Sequence, residues 1–330
     1  MKCEEIIWSG KAAFEFSAGN YGALVVPSLG ANVLGLWYIS GSERFEILRT
    51  PANAGTLLDN PFVYGIPILF PANRVADGFY EWDGIRYEFP RNSSNNMHIH
   101  GVLHNRPWNV TRRWSDSKGV WVRMAPDSEF DGGLKRFFPI DVRIHLDIGL
   151  SKDGLVHLFT VENRSKNSFP IGLAYHTAFN VPFSRTSNAQ NIRISVPIKA
   201  RCIDDPVSRL PAGGVQELNE LEKRIASPEG GPPMETILDY LYTARLDVPN
   251  VAVLRDISTG WEVRYSAIND CRYWIIWNKN AKESFTAIEP QTWMSNAMKQ
   301  PNPEQFGAVF LPPGRTWTNR TEIAMRHCGE

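Results

Sequence analysis

The chain has 330 residues, with 35 Lys and Arg balanced by 35 Asp and Glu. That balance excludes the basic face that neutralises many phosphates, and with it bulk binding of nucleic acid or of an anionic membrane. Hydrophobic residues at 43% and charged residues at 21% exclude wholesale disorder, and no apolar run reaches the roughly 18 residues of a membrane-spanning helix.

Residues 1–8 contain Lys2, Glu4 and Glu5 with no long apolar stretch after them, so they do not read as a secretory signal, and a cytoplasmic location is expected. Cys3, Cys202, Cys271 and Cys328 are scattered without CxxC spacing, which points to free thiols and away from a disulfide framework or zinc knuckle. Aromatic residues make up 12% of the chain, and 25 Gly and 23 Pro punctuate it, as expected for many short strands. Residues 79–82 and 85–89 flank Asp83-Gly84, and residues 148–150 and 155–159 flank Asp153-Gly154. Both read as tight hairpins, because Gly accepts positive φ. Residues 142–148 alternate apolar and polar, as do 261–265. Residues 273–277 read as a strand buried on both faces. Helical periodicity is confined to residues 216–225. They lie within a polar, Pro- and Gly-rich stretch from Pro206 to Pro233, which reads as an excursion between strands. The sum is one domain spanning residues 1–330, all-β, a large antiparallel sandwich.

The chemistry-bearing residues are His and acids. His98 and His100 are two apart, so on a strand they share one face, which is metal-ligand geometry; His104 follows, but no acid follows closely, and Gly101 could turn the chain. The alternative is that one of the pair hydrogen-bonds in a cleft and the other caps a loop. His176 lies in the apolar run 172–180, either as a satisfied core histidine or as a titratable group at a strand end. Glu289 ends the apolar run 285–288, where burial is costly unless the acid is paired. Asp239, within 237–242, is a weaker case of the same kind. Arg74 follows the apolar run 66–70 and could bind a ligand oxygen or pair with an acid.

Several segments stand in a recognisable order. Val26-Pro27-Ser28-Leu29-Gly30-Ala31 comes first, then Gly65-Ile66-Pro67-Ile68-Leu69-Phe70-Pro71-Ala72-Asn73-Arg74. Ile99-His100-Gly101 with Trp108 follows, then His176-Thr177-Ala178-Phe179-Asn180 and Leu238-Asp239 with Tyr242. Ile288-Glu289-Pro290-Gln291-Thr292 with Asn296-Ala297 is next, and Leu311-Pro312-Pro313-Gly314 closes the series. As an ordered set over about 290 residues this resembles the aldose 1-epimerase (galactose mutarotase) family. The resemblance implies a β-supersandwich and interconversion of the α and β anomers of an aldose. It implies Glu289 as general base and His176 as general acid, and Arg74, His100 and Asp239 as residues that hold the sugar. No metal or redox cofactor is implied. The partner is a small-molecule sugar, with no nucleic acid and no membrane, and the chain is a monomer or homodimer.

This chemistry expects Glu289 ionised, if its pKa stays near the ordinary value of about 4.3, and His176 protonated by the influence of a nearby carboxylate. Trp82, Trp108 and Trp293 are candidates for stacking on the sugar. The chain departs from well-known members at Thr177-Ala178-Phe179, where they have Pro and Tyr after the His, and at Val102, where they have a second Gly. Residues 102–108 resemble instead the branch with hexose-6-phosphate epimerases. Those carry Arg where this chain has His104, and Arg106 is out of register, so a neutral sugar is favoured. The alternatives are a hexose-6-phosphate 1-epimerase and a non-catalytic carbohydrate-binding protein on the same fold. Further off are a glycoside hydrolase using Asp239 and Glu289, and a metal enzyme using His98 and His100.

Overall fold

Period-two alternation and frequent turn residues build two large antiparallel sheets, seen in a computed structural model that describes residues 1–328. One sheet runs, neighbour to neighbour, through Trp108–Asp116, Gly119–Pro126, Val142–Ser151, Gly154–Asn163, Thr316–His327, Trp261–Ile268, Val251–Asp256 and Ile192–Ser195. The other runs through Pro211–Gln216, Ile198–Asp204, Asp239–Ala244, Tyr273–Trp277, Phe285–Gln291, Ala174–Tyr175 and Ile68–Leu69, with Thr177–Asn180 also paired to Phe285–Gln291. Their inner faces meet through large buried rings. Tyr265 lies edge-on to Trp274 at 6.1 Å, and its hydroxyl is 2.9 Å from Thr177 Oγ1. A five-stranded meander, from Lys2–Trp8 to Glu43–Glu46, adds Phe16, Tyr21 and Phe45 to the same core. The architecture is an all-β antiparallel supersandwich.

The Asp83-Gly84 hairpin forms as expected, with Trp82 opposite Ile85 and both turn residues at positive φ. The second hairpin is shifted by one residue. Ser151 faces Gly154, so the turn is Lys152-Asp153. Gly154 lies in the strand at φ 127°, where an added Cβ would come 2.2 Å from Ile323 O. That glycine admits the neighbouring strand and does not make the turn.

Tyr273–Trp277 departs from the expectation of burial on both faces. Tyr273, Trp274 and Ile276 are buried, but Ile275 and Trp277 are only half-buried, because their face borders a cleft. The stretch after Pro206 is an excursion between strands, as expected, and it carries an edge strand and a helix. The helix is Glu220–Ala226, capped by Asn219 in a capping box with Glu222. Gln216 belongs to the edge strand before it. A second short helix, Ala54–Asp59, carried no periodic signal. The four cysteines are free, and no helix among the described residues is long and apolar enough to cross a membrane.

Candidate active site

Every residue of Phe285–Gln291 is buried, so an acid within it needs a partner. Glu289 stands opposite Ile275 on one side. On the other side the chain 174–180 is broken into two short strands, pairing at Ala174 with Gln291 and at Thr177 with Ile288. His176 occupies the break, its N–H donating to Pro67 O at 3.0 Å. This puts His176 Nε2 3.2 Å from Glu289 Oε1, with the two side chains 5% and 2% exposed. The remaining polar atoms of the pair, Glu289 Oε2 and His176 Nδ1, are buried without a hydrogen-bond partner.

Burial opposes the charge states expected from sequence. Burial pushes the Glu289 carboxyl well above its ordinary range, and Asp239 adds to that while Arg74 opposes it. Burial pushes the His176 imidazole down to about 3. Desolvation therefore favours the uncharged form of each group, with a proton on the carboxyl rather than on the imidazole.

Arg74 and His100 arrive from two short paired strands, Arg74–Val75 and His98–Ile99. The second strand ends at Ile99, because His100 and Gly101 both take left-handed backbone, at φ 66° and 67°. His98 and His100 therefore do not share a face, and the metal-ligand reading of this pair fails. His98 Nδ1 lies 2.7 Å from Pro90 O and its ring stacks on Phe89. The His100 ring is edge-on to His176 at 5.5 Å, and His104 Nδ1 lies 3.1 Å from His100 O. Among the described residues no three His, Cys, Asp or Glu gather as a metal-binding group.

The Arg74 guanidinium reaches Asn73 Oδ1 at 3.4 Å, and among the described residues no carboxylate lies within 4.0 Å of it. Burial lowers its pKa and the Asp239 charge offsets part of that. Asp239 is on the rim, 53% exposed, in an ion pair with Arg209 at 2.8 Å. Thus Glu289, His176, His100 and Arg74 come together in one cluster, and the more exposed Asp239 lies near it.

The three tryptophans proposed for stacking are elsewhere. Trp82 lies on Phe310 at 3.8 Å and donates to Ser168 Oγ. Trp108 and Trp293 are buried and donate to Leu103 O and Ala72 O. The aromatic residues at the site are Phe62, 4.3 Å from His100 and 5.4 Å from His176, and Trp277, 5.4 Å from His176. Trp277 was readable as the end of a strand; Phe62, in the short turn Pro61–Val63, gave no signal. Arg106 is buried, donates to Phe130 O at 2.5 Å and lies over the Phe130 and Phe137 rings. Chemically, the cleft offers a proton shared between an acid and a base, with a guanidinium and a further imidazole beside it.

The family model described as aldose 1-epimerase matches residues 13–324. A galactose mutarotase-like protein from Clostridium acetobutylicum is similar at 29% identity and a TM-score of 0.91, covering 99% of both chains. A galactose 1-epimerase from Lactobacillus acidophilus is 15% identical, with a TM-score of 0.71 and 99% of both chains covered. A galactose mutarotase-like protein from Lactobacillus casei is 17% identical, with a TM-score of 0.69 over 95% of this chain and 100% of that one. These last two likenesses speak to the fold alone.

Proposed function

The chain belongs to the aldose 1-epimerase family, and from that premise we propose that it is an isomerase that interconverts the α and β anomers of an unphosphorylated hexose. The observation that carries this reading is the buried contact of 3.2 Å between His176 Nε2 and Glu289 Oε1, with Arg74 and His100 beside it. Opening the ring breaks the C1–O5 bond, forms the C1 carbonyl, takes the proton from the C1 hydroxyl and gives one to O5. Glu289 as carboxylate takes the first proton and His176 as imidazolium supplies the second. Hydrogen bonds from the sugar hydroxyls and Arg74 favour that charged form of the pair once substrate is bound.

After opening, Glu289 holds a proton and His176 is neutral. That is the arrangement burial favours for the pair. Rotation about C1–C2 turns the carbonyl, and closure on its other face reverses both transfers. Two positioned transfers at about 10²–10⁴-fold each amount to roughly 5–11 kcal/mol. Arg74, His100 and Asp239 hold the sugar, and Phe62 and Trp277 offer it apolar surface. A neutral sugar fits better than a phosphorylated one, because Arg106 is already engaged with Phe130. In this reading the chain works in the cytoplasm on a free sugar, as a monomer or homodimer, with neither nucleic acid nor membrane.

The test is NMR exchange between the α and β H1 signals of glucose, galactose, a pentose and glucose 6-phosphate. Glu289→Gln and His176→Asn should each slow enzyme-dependent exchange at least about 100-fold, with unchanged circular dichroism. Full exchange in either variant overturns its assignment.

A further inference from the structure

The sheet that carries Glu289 ends in a hairpin that none of the family segments includes. Its inner strand, Ile198–Asp204, is three places from the Glu289 strand. At about 4.8 Å per place their backbones are roughly 14 Å apart, a span filled by side chains and by what lies between them. The hairpin tip is tied on two sides. Arg209 Nη2 donates to both O and Oδ2 of Asp239 at 2.8 Å, and Asn95 Nδ2 donates to Val207 O at 3.1 Å, from the loop before His98.

Behind this tip one buried acceptor is left open and one guanidinium lacks an ion-pair partner. Asp204 Oδ1 is buried with no hydrogen-bond partner. The Arg74 guanidinium, which feels the charges of Asp204, Arg209 and Asp239, makes no ion pair among the described residues. Buried polar groups in native proteins are nearly always satisfied, so the open Asp204 acceptor, whose charge acts on Arg74, marks the place of a hydrogen-bond donor from a ligand. Arg209 is spoken for by Asp239, so this end of the cleft is not a cationic cradle of the kind a phosphate or carboxylate needs.

We propose that Asp204 is a substrate-binding and specificity residue, whose carboxylate accepts a hydrogen bond from a hydroxyl at the end of the sugar away from Glu289 and His176 while Arg74 donates to another oxygen of the same sugar. This rests on the epimerase reading of the site. It makes the substrate's far end a neutral hydroxyl and sets the Asp204 charge against an anionic substituent there.

The experiment compares the wild type with Asp204→Asn and Asp204→Ser on a neutral hexose and its 6-phosphate. It reads anomer exchange and, separately, sugar binding by saturation-transfer NMR. Both variants should raise KM and Kd for the neutral hexose about tenfold, with kcat changed less than threefold, and Asp204→Asn should narrow the gap between neutral and phosphorylated sugar. KM and Kd at wild-type values in both folded variants overturn the proposal, as does a fall confined to kcat. Wild-type protein that binds without exchanging anomers overturns the epimerase reading, and the Kd comparison still decides the role of Asp204. Wild-type protein that neither binds nor exchanges any sugar of the panel overturns both.

Discussion

Across the 3.2 Å between His176 Nε2 and Glu289 Oε1 a single proton serves two groups, and its titration is measurable. The His176 imidazole is pushed down to about 3, so a second proton joins the pair only in strong acid. The Glu289 carboxyl is pushed up, so the shared proton leaves only well above the ordinary carboxylate range. His176 therefore takes up no proton near pH 6.5, and kcat/KM for anomer exchange should show no limb between neutrality and about pH 5, its acid limb lying below that. Exchange measured from pH 4 to 8 and corrected for the spontaneous rate checks this; a limb near 6.5 would mean that His176 titrates as a solvated imidazole. Glu289, His176, Arg74 and His100 were legible in the sequence because each sits in a short segment whose order along the chain is distinctive. Phe62, Asp204 and Arg209 were not, because a turn and a hairpin tip bring them to the site and no local pattern reports where such segments land. The three tryptophans picked for stacking failed for a related reason: an indole is as useful for filling a core as for facing a sugar, and sequence alone does not separate the two.

The segment 99–104 sets the position of His100 by backbone geometry. Gly101 is at φ 67°, and a Cβ there would lie 2.3 Å from Phe70 N. The same turn is tied by His100 N donating to Asn73 O at 3.0 Å and Val102 N donating to Phe70 O at 2.9 Å. Gly101→Ala must move Phe70 or abandon one of these bonds, besides bearing the left-handed penalty of a side chain. The expected cost is about 2 kcal/mol or more in urea unfolding, with KM raised as His100 shifts. Wild-type stability and KM in that variant would show that the turn relaxes freely. The sequence showed a Gly after His100 that could turn the chain, and the chain turns there, beginning at His100 itself. Elsewhere the elements read well where one signal dominated, as in the Asp83-Gly84 hairpin. They slipped where two roles competed for one residue. Gly154 looked like a turn glycine and is a close-approach glycine, and Gln216 looked like the start of a helix and ends an edge strand.

At the scale of the molecule, alternation with dense turn punctuation was enough to establish an all-β architecture, because two sheets that bury one face each have few other ways to pack. Charge balance says less about how the fold responds to pH, since that depends on which titratable groups the sheets enclose. His157 lies between the two sheets, 5.8 Å from the Tyr175 ring, with both ring nitrogens unpartnered. Burial pushes its pKa down to about 3, from an ordinary value of 6.5. The unfolded chain therefore takes up the proton first, so the stability this residue permits is complete above about pH 6.5 and is lost as pH falls toward 3. One such histidine costs roughly 2 kcal/mol between neutrality and pH 5. His98 and His104, both pushed down to about 4, act in the same direction. His157→Phe keeps a ring of similar shape and removes the titration. Its unfolding free energy in urea should match or exceed wild type at pH 7.5 and should drop by about 2 kcal/mol less than wild type on going to pH 5. Equal drops in the two proteins would mean that the folded state accepts a proton at His157 as readily as the unfolded chain does, and the acid sensitivity of the fold would then have to come from its other buried histidines, His98, His100, His104 and His176.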